Sequence, residues 1–119
     1  MEKRELGRFG EERAARYLRL RGYRILETNY ACRVGEIDLI AKKGGYIVFV
    51  EVKLRKSADF AAAREFVTAA KQQRIRSTAA LWLSQNETEL QPRFDVIEIY
   101  APQGAEGKIT INHIVNAFE

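Results

Sequence analysis

Small and apolar residues recur at Leu6, Phe9, Gly10, Ala14, Tyr17 and Leu18, within a stretch otherwise crowded with arginine and glutamate. Steps of three and four are the period of a helix with one buried face. They predict a helix over 3–21, with Gly22 as its C-cap. "YRILETNY" reads as a short strand and "ACRVG" as a loop. The pattern then changes. Residues 36–42 and 46–55 are nearly continuous runs of Ile, Val, Phe and Leu, parted by Gly44-Gly45, which predicts a hairpin of buried strands. A second helical stripe (Val67, Ala70, Ile75, Ala79, Trp82, Leu83) predicts a helix over 63–84. "SQNETELQP" is a polar loop, "RFDVIEIY" alternates as a strand, "APQGAEG" is a loop, and "KITINHIV" supplies the last strand. The order αβββαββ predicts an α/β fold, a mixed β-sheet flanked by helices.

Length and composition narrow this further. A chain of 119 residues suits one domain over 1–119, and 46% hydrophobic with 30% charged residues is the composition of a globular protein. The longest uncharged apolar run, Tyr46 to Val50, is far shorter than a bilayer requires, and the charged N-terminus has no signal-peptide core. The expectation is a cytoplasmic protein without a membrane partner. Cys32 is the single cysteine, which excludes an internal disulfide, and no base stands beside it in sequence to make it a nucleophile. The net charge of +4 is unevenly spread. Residues 1–24 carry eight Lys/Arg against four acids and 53–76 seven against two, whereas 84–119 carry two against six. Basic front segments fit an anionic partner, nucleic acid above all. Solvated helix faces are the plainer reading of the same charges.

The hairpin holds the oddest residues. With Gly44 and Gly45 as the loop, antiparallel pairing sets Ile40 against Phe49, Asp38 against Glu51 and Glu36 against Lys53. Two carboxylates about 5 Å apart in an apolar sheet repel and lose solvation. Either one takes up a proton or a divalent cation sits between them. Lys53 projects from the same face as Glu51, so two acids and an ammonium converge. Oxygen-only ligands favour Mg²⁺ or Mn²⁺. The competing reading is an ion-paired edge in which Lys53 neutralises Glu51 and Glu36. A third acid, Glu11, shares its helix face with Gly7, Ala15 and Leu18 and so borders the side that packs on the sheet. Glu12, with Arg8 and Arg16 four residues either side, is an ordinary exposed ladder.

"GEIDLIA" followed by "VFVEVK" resembles the D…(D/E)xK motif of the restriction-endonuclease-like nuclease superfamily. "GRFGEERAARYLRLRGY" is similar to the first helix of archaeal Holliday junction resolvases, with Glu11 at the helix-acid position. Through "VTAAKQQRIRSTAALWL" and "RFDVIEI", nearly the whole chain resembles the bacterial YraN family, which is assigned to that superfamily. Ile37 stands where many members have proline. The resemblance implies a restriction-endonuclease-like fold and a Mg²⁺- or Mn²⁺-dependent endonuclease acting on DNA. Glu11, Asp38, Glu51 and Lys53 would be catalytic, and Asp38, Glu51 and the Val52 carbonyl would hold the metal.

It also implies that the second helix lies beside the site, which makes Lys71 and Arg74 candidate backbone contacts. Arg33 and Arg55, flanking the open end of the hairpin, are further candidates, with solvated charge as the alternative. Glu36 is a supporting residue or a partner of Lys53. Asp95 is expected to pair with Arg93 or close a turn rather than extend the acidic cluster, and His113 is expected to be structural. A homodimer is compatible with the sequence. The other class of function is a nucleic-acid-binding or adaptor module that keeps the nuclease fold without turnover.

Overall fold

A computed structural model of the chain describes residues 3–55, 67–104 and 106–119. The elements run α1 (Lys3–Leu20), β1 (Arg24–Cys32), β2 (Gly35–Lys43), β3 (Tyr46–Arg55), α2 (Ala69–Gln85), β4 (Gln91–Tyr100) and β5 (Thr110–Phe118). The expected order αβββαββ is found, in a five-stranded mixed sheet ordered β1-β2-β3-β4-β5. β3 and β4 pair in parallel and the other neighbours are antiparallel. This architecture is consistent with a nuclease-like fold. Among the described residues no helix is long and apolar enough to cross a membrane.

α1 ends as its sequence dictates. Gly22 takes φ +86°, its N–H reaches the Arg19 carbonyl at 3.1 Å, and the Tyr23 N–H reaches that of Leu18 at 3.0 Å. This is a Schellman close, with Leu18 and Tyr23 both buried beneath it. The sheet then separates two cores. On one face Ala14, Ala15 and Leu18 of α1 pack on Leu39, Ala41, Val48, Val50, Ile97 and Ile99. On the other, Ile75, Ala79 and Trp82 of α2 pack on Ile40, Ile47, Phe49 and Val96. β3 is covered on both sides, which is why its sequence is a continuous apolar run instead of an alternation. Each such side chain contributes about 1.5–3 kcal/mol of transfer free energy.

The boundaries differ from the sequence pattern in places. β1 extends through Ala31 and Cys32, read as loop, because they pair with Glu36 and Gly35. α2 begins at Ala69, and Val67 and Thr68, expected to be helical, precede it. The Thr68 hydroxyl accepts the Lys71 N–H at 3.1 Å, and this N-cap holds Thr68 in an extended conformation. Residues 63–66, where the helix was expected to start, lie outside the described residues. Ala70 is exposed, five positions before buried Ile75 and so off its stripe. β5 begins later than expected and continues to Phe118, which stacks on Phe94 at 5.2 Å.

Gly35 sets how closely α2 approaches β2. A Cβ there would stand 2.8 Å from the Thr78 hydroxyl oxygen, which is itself tied to the Arg74 carbonyl at 2.7 Å. Gly35→Ala is expected to destabilise the fold by about 1–3 kcal/mol. Thermal melts should show a Tm several degrees lower, with most of the loss recovered in the Gly35→Ala/Thr78→Ala double variant.

Candidate functional site

β2 and β3 pair from Lys43↔Tyr46 to Leu39↔Val50, in the register expected from the Gly44-Gly45 turn. The ladder stops there, one pair short of Asp38 and Glu51. Beyond it the Val52 N–H donates to Asp38 Oδ2 at 2.8 Å, so a carboxylate takes the backbone donor as the strands part. The expected Glu36–Lys53 opposition is not made. Glu36 pairs with Ala31 of β1, and Lys53 turns to Glu51.

The acids sort into two groups. Glu11 of α1, Glu36 and Asp38 each place a carboxylate oxygen within 4.8 Å of the others, an arrangement that could hold a cation. Glu51, 9% exposed, is matched by ammonium groups instead. Its Oε1 lies 3.2 Å from Lys53 Nζ and 2.7 Å from Lys71 Nζ. Glu36, Asp38, Glu51, Lys71 and Arg74 line one cleft of about 220 Å³, floored by Gly35 and Ile75.

Protonation follows from this crowding. Burial and the neighbouring Glu51 push the Asp38 carboxyl up to about 7, with Glu11 and Glu36 adding to the effect. The Val52 N–H opposes the shift without cancelling it. Lys53 is held below the ordinary lysine range by burial and by the Lys71 ammonium beside it. Lys71 is half-buried, which lowers its pKa, but hydrogen bonds to Glu51 and Lys53 and the charges of Glu51 and Asp38 together outweigh that burial and raise it. The two lysines compete for one carboxylate oxygen, and Lys71 holds the shorter contact.

The remaining candidates are dispersed. Arg74 is exposed at the cleft, and Arg33 is exposed in the β1–β2 turn outside it. Arg55 is half-buried at the end of β3, opposite Tyr100. Lys53 faces Glu98 across the parallel ladder, but Glu98 is buried and accepts from the Tyr100 hydroxyl and from Asn112 Nδ2 at 2.7 Å. Asp95 points to the opposite face from Glu51, since it pairs with Val50 and its neighbour Val96 pairs with Glu51. It accepts two bonds from Arg93, at 2.9 and 2.8 Å, and the Asn116 N–H at 3.0 Å. His113 Nε2 lies 2.7 Å from its Oδ2. Together these hold the Asp95 carboxyl below its ordinary range despite burial.

Sequence reasoning underrated Glu36, although its spacing two residues before Asp38 was the signal for a shared face. It also gave no sign that Lys71 would meet Glu51.

Residues 10–99 match the uncharacterised protein family UPF0102. The chain belongs to that family. A UPF0102 protein of Caldanaerobacter subterraneus is 46% identical over 119 residues, spanning 99% of this chain and 98% of its own. Another, of Syntrophomonas wolfei, is 47% identical over 116 residues, spanning 97% and 98%. UPF0102 is the YraN family of the sequence resemblance, and its matched span holds Glu11, Glu36, Asp38, Glu51, Lys53, Lys71 and Arg74.

A carboxyl whose pKa is raised on folding binds its proton more tightly in the folded state. Its contribution is therefore greatest at low pH and is lost as pH rises toward 7. Thermal melts from pH 5 to 8 should show wild-type Tm falling. Asp38→Asn keeps an acceptor for the Val52 N–H, so it should flatten that profile and add about 1 kcal/mol or more near pH 8. A wild-type Tm that climbs over this range contradicts the assignment.

Proposed function

We propose that this chain is a divalent-cation-dependent endonuclease of the restriction-endonuclease-like superfamily, hydrolysing phosphodiester bonds in DNA, with branched and processed DNA as the leading substrate class. One observation carries the reading: three carboxylates from α1 and β2 converge where the sheet opens, beside Glu51 and two ammonium groups. The donor set is all oxygen, which suits Mg²⁺ or Mn²⁺. The raised Asp38 pKa marks negative charge that only a proton or a cation relieves. Asp38 and Glu51 would hold the ion, with Glu11 and Glu36 around it. The Val52 carbonyl is a further ligand of the right kind, since a strand residue's N–H and C=O point to the same lateral side. When bound, the ion supplies charge that polarises the scissile phosphate and acidifies water.

The chain's own groups do the rest. In hydrolysis a water oxygen attacks phosphorus and the opposite P–O bond breaks, so negative charge builds on the phosphoryl oxygens. Lys53, half-buried beside Glu51, offsets that charge. Arg74, exposed at the cleft, and Arg33 position the DNA backbone. Lys71 shares Glu51 with Lys53 and would exchange that carboxylate for the phosphate if Glu51 held the ion.

A second reading has its own observation. Glu51 is already neutralised by two lysines, so the pair set is self-sufficient without an ion. A nucleic-acid-binding module that does not turn over would need no more.

Titration with Mn²⁺, followed by calorimetry and thermal melts, separates the two. An ion at one hundred times its Kd should stabilise the wild type by about 2.7 kcal/mol and Asp38→Asn not at all. Lys71→Met should bind Mn²⁺ several-fold more tightly, because a competing cation is gone. Cleavage of single-stranded, duplex, flap and four-way DNA should require Mg²⁺ or Mn²⁺. It should vanish in Lys53→Ala while Mn²⁺ binding persists. Salt-sensitive DNA binding with no Mn²⁺ stabilisation and no cleavage would establish the binding module instead.

A further inference from the structure

A second basic surface lies on the far side of α1. Arg13, Arg16, Leu20 and Arg21 line a groove of about 380 Å³ with Ile109 and Ile111, and among the described residues no carboxylate lines it. Glu11 and Leu20 are nine residues apart, about two and a half turns, which sets them on opposite sides of the helix. The groove and the acidic cleft share no lining residue. None of the residues given a role in the chemistry proposed above lines the groove.

Its composition is mixed in a telling way. Leu20 is 74% exposed, although it sits at the end of an ordered helix. Ile109 and Ile111 are partly buried against the α1-side core and present an aliphatic floor. Arg21 is held over the Tyr17 ring, 3.8 Å from its centroid, so the ring face a nucleobase would stack on is already covered. A phosphodiester backbone could use the guanidinium groups but has nothing to bury on Leu20 and the two isoleucines. A peptide can use both.

We infer that this groove docks an acidic peptide segment of a protein partner. An aliphatic or aromatic side chain of the segment covers Leu20, Ile109 and Ile111, and its carboxylates meet Arg13, Arg16 and Arg21. The arginines set the sign of the partner's charge, and the apolar floor discriminates against a bare polyanion.

The test uses the full chain and a set of short fluorescent peptides of Asp and Glu with one Leu or Phe, placed at different positions. Matched peptides carry Ser instead, and a labelled single-stranded oligodeoxynucleotide serves as the polyanion. Binding is read by anisotropy and mapped by amide NMR shifts. The expected result is shifts at Leu20, Arg21, Ile109 and Ile111, with binding weakened about tenfold by Arg16→Glu or Arg21→Glu. A similar loss is expected from Leu20→Ser, and from Ser in place of the peptide's apolar residue. Circular dichroism confirms that each variant is folded, and Arg16→Lys, which keeps the charge, should retain most of the binding. If no peptide of the set shifts the groove, the inference is wrong. It is equally overturned if the oligonucleotide binds there as well as the best peptide, or if the apolar residue makes no difference. The groove would then be a nucleic-acid face.

Discussion

The hydrogen bond from the Val52 N–H to Asp38 ties the scaffold to the site. A backbone donor inside an apolar sheet must find an acceptor, and where β2 and β3 part company no β2 carbonyl takes this one. Asp38 does, which draws a carboxylate into the sheet and within reach of Glu11, Glu36 and Glu51. The opening of the sheet, the raised pKa and the concentration of negative charge are consequences of the same exchange. α2 answers only part of it. Gly35 lets the helix approach closely enough for Lys71 to reach Glu51, and among the described residues Glu11, Glu36 and Asp38 make no ion pair.

Two aspartates of one sheet, Asp95 buried and Asp38 half-buried, show how differently a fold can treat the same group. Asp95 sits at a bulge between β4 and β5 with Arg93, His113 and a backbone donor all turned to it, and its proton is held off. Among the described residues Asp38 accepts one N–H, from Val52, and has three acids around it, with the Lys71 charge further off on Glu51. The first is a finished structural network. The second is chemically unfinished, which is the usual mark of a group that meets something from outside.

Much of this was legible in the chain because it is local. The Gly-Gly turn fixed the hairpin register, the continuous apolar runs marked a strand covered on both faces, and the spacing of Arg93 and Asp95 put them on one side of β4. The rest depends on contacts between elements distant in sequence. Lys71 meets Glu51 only once α2 has docked, and nothing in "KQQRIR" distinguishes that lysine from its basic neighbours. His113 was legible as structural, but its partner was not. The bulge that brings it to Asp95 shifts the β4–β5 register and leaves no mark in the pattern of hydrophobic residues. Helix starts are hard for a related reason. Thr68 stops the helix by capping it, a choice that competes with the apolar periodicity running through Val67.

The parallel pairing of β3 with β4 also orders events in time. The β2–β3 hairpin closes over a two-residue loop, a microsecond step for a chain of this kind. Pairing Tyr46 with Gln91 must wait for a long intervening segment, α2 included, to collapse onto the sheet. The acids of the hairpin are thus brought together before Lys71 can reach them. During that interval their repulsion opposes the nucleus itself, and a proton on Asp38 is the readiest relief. Mild acid should speed the first stage of folding, and Lys71, arriving late, should slow unfolding more than it hastens folding.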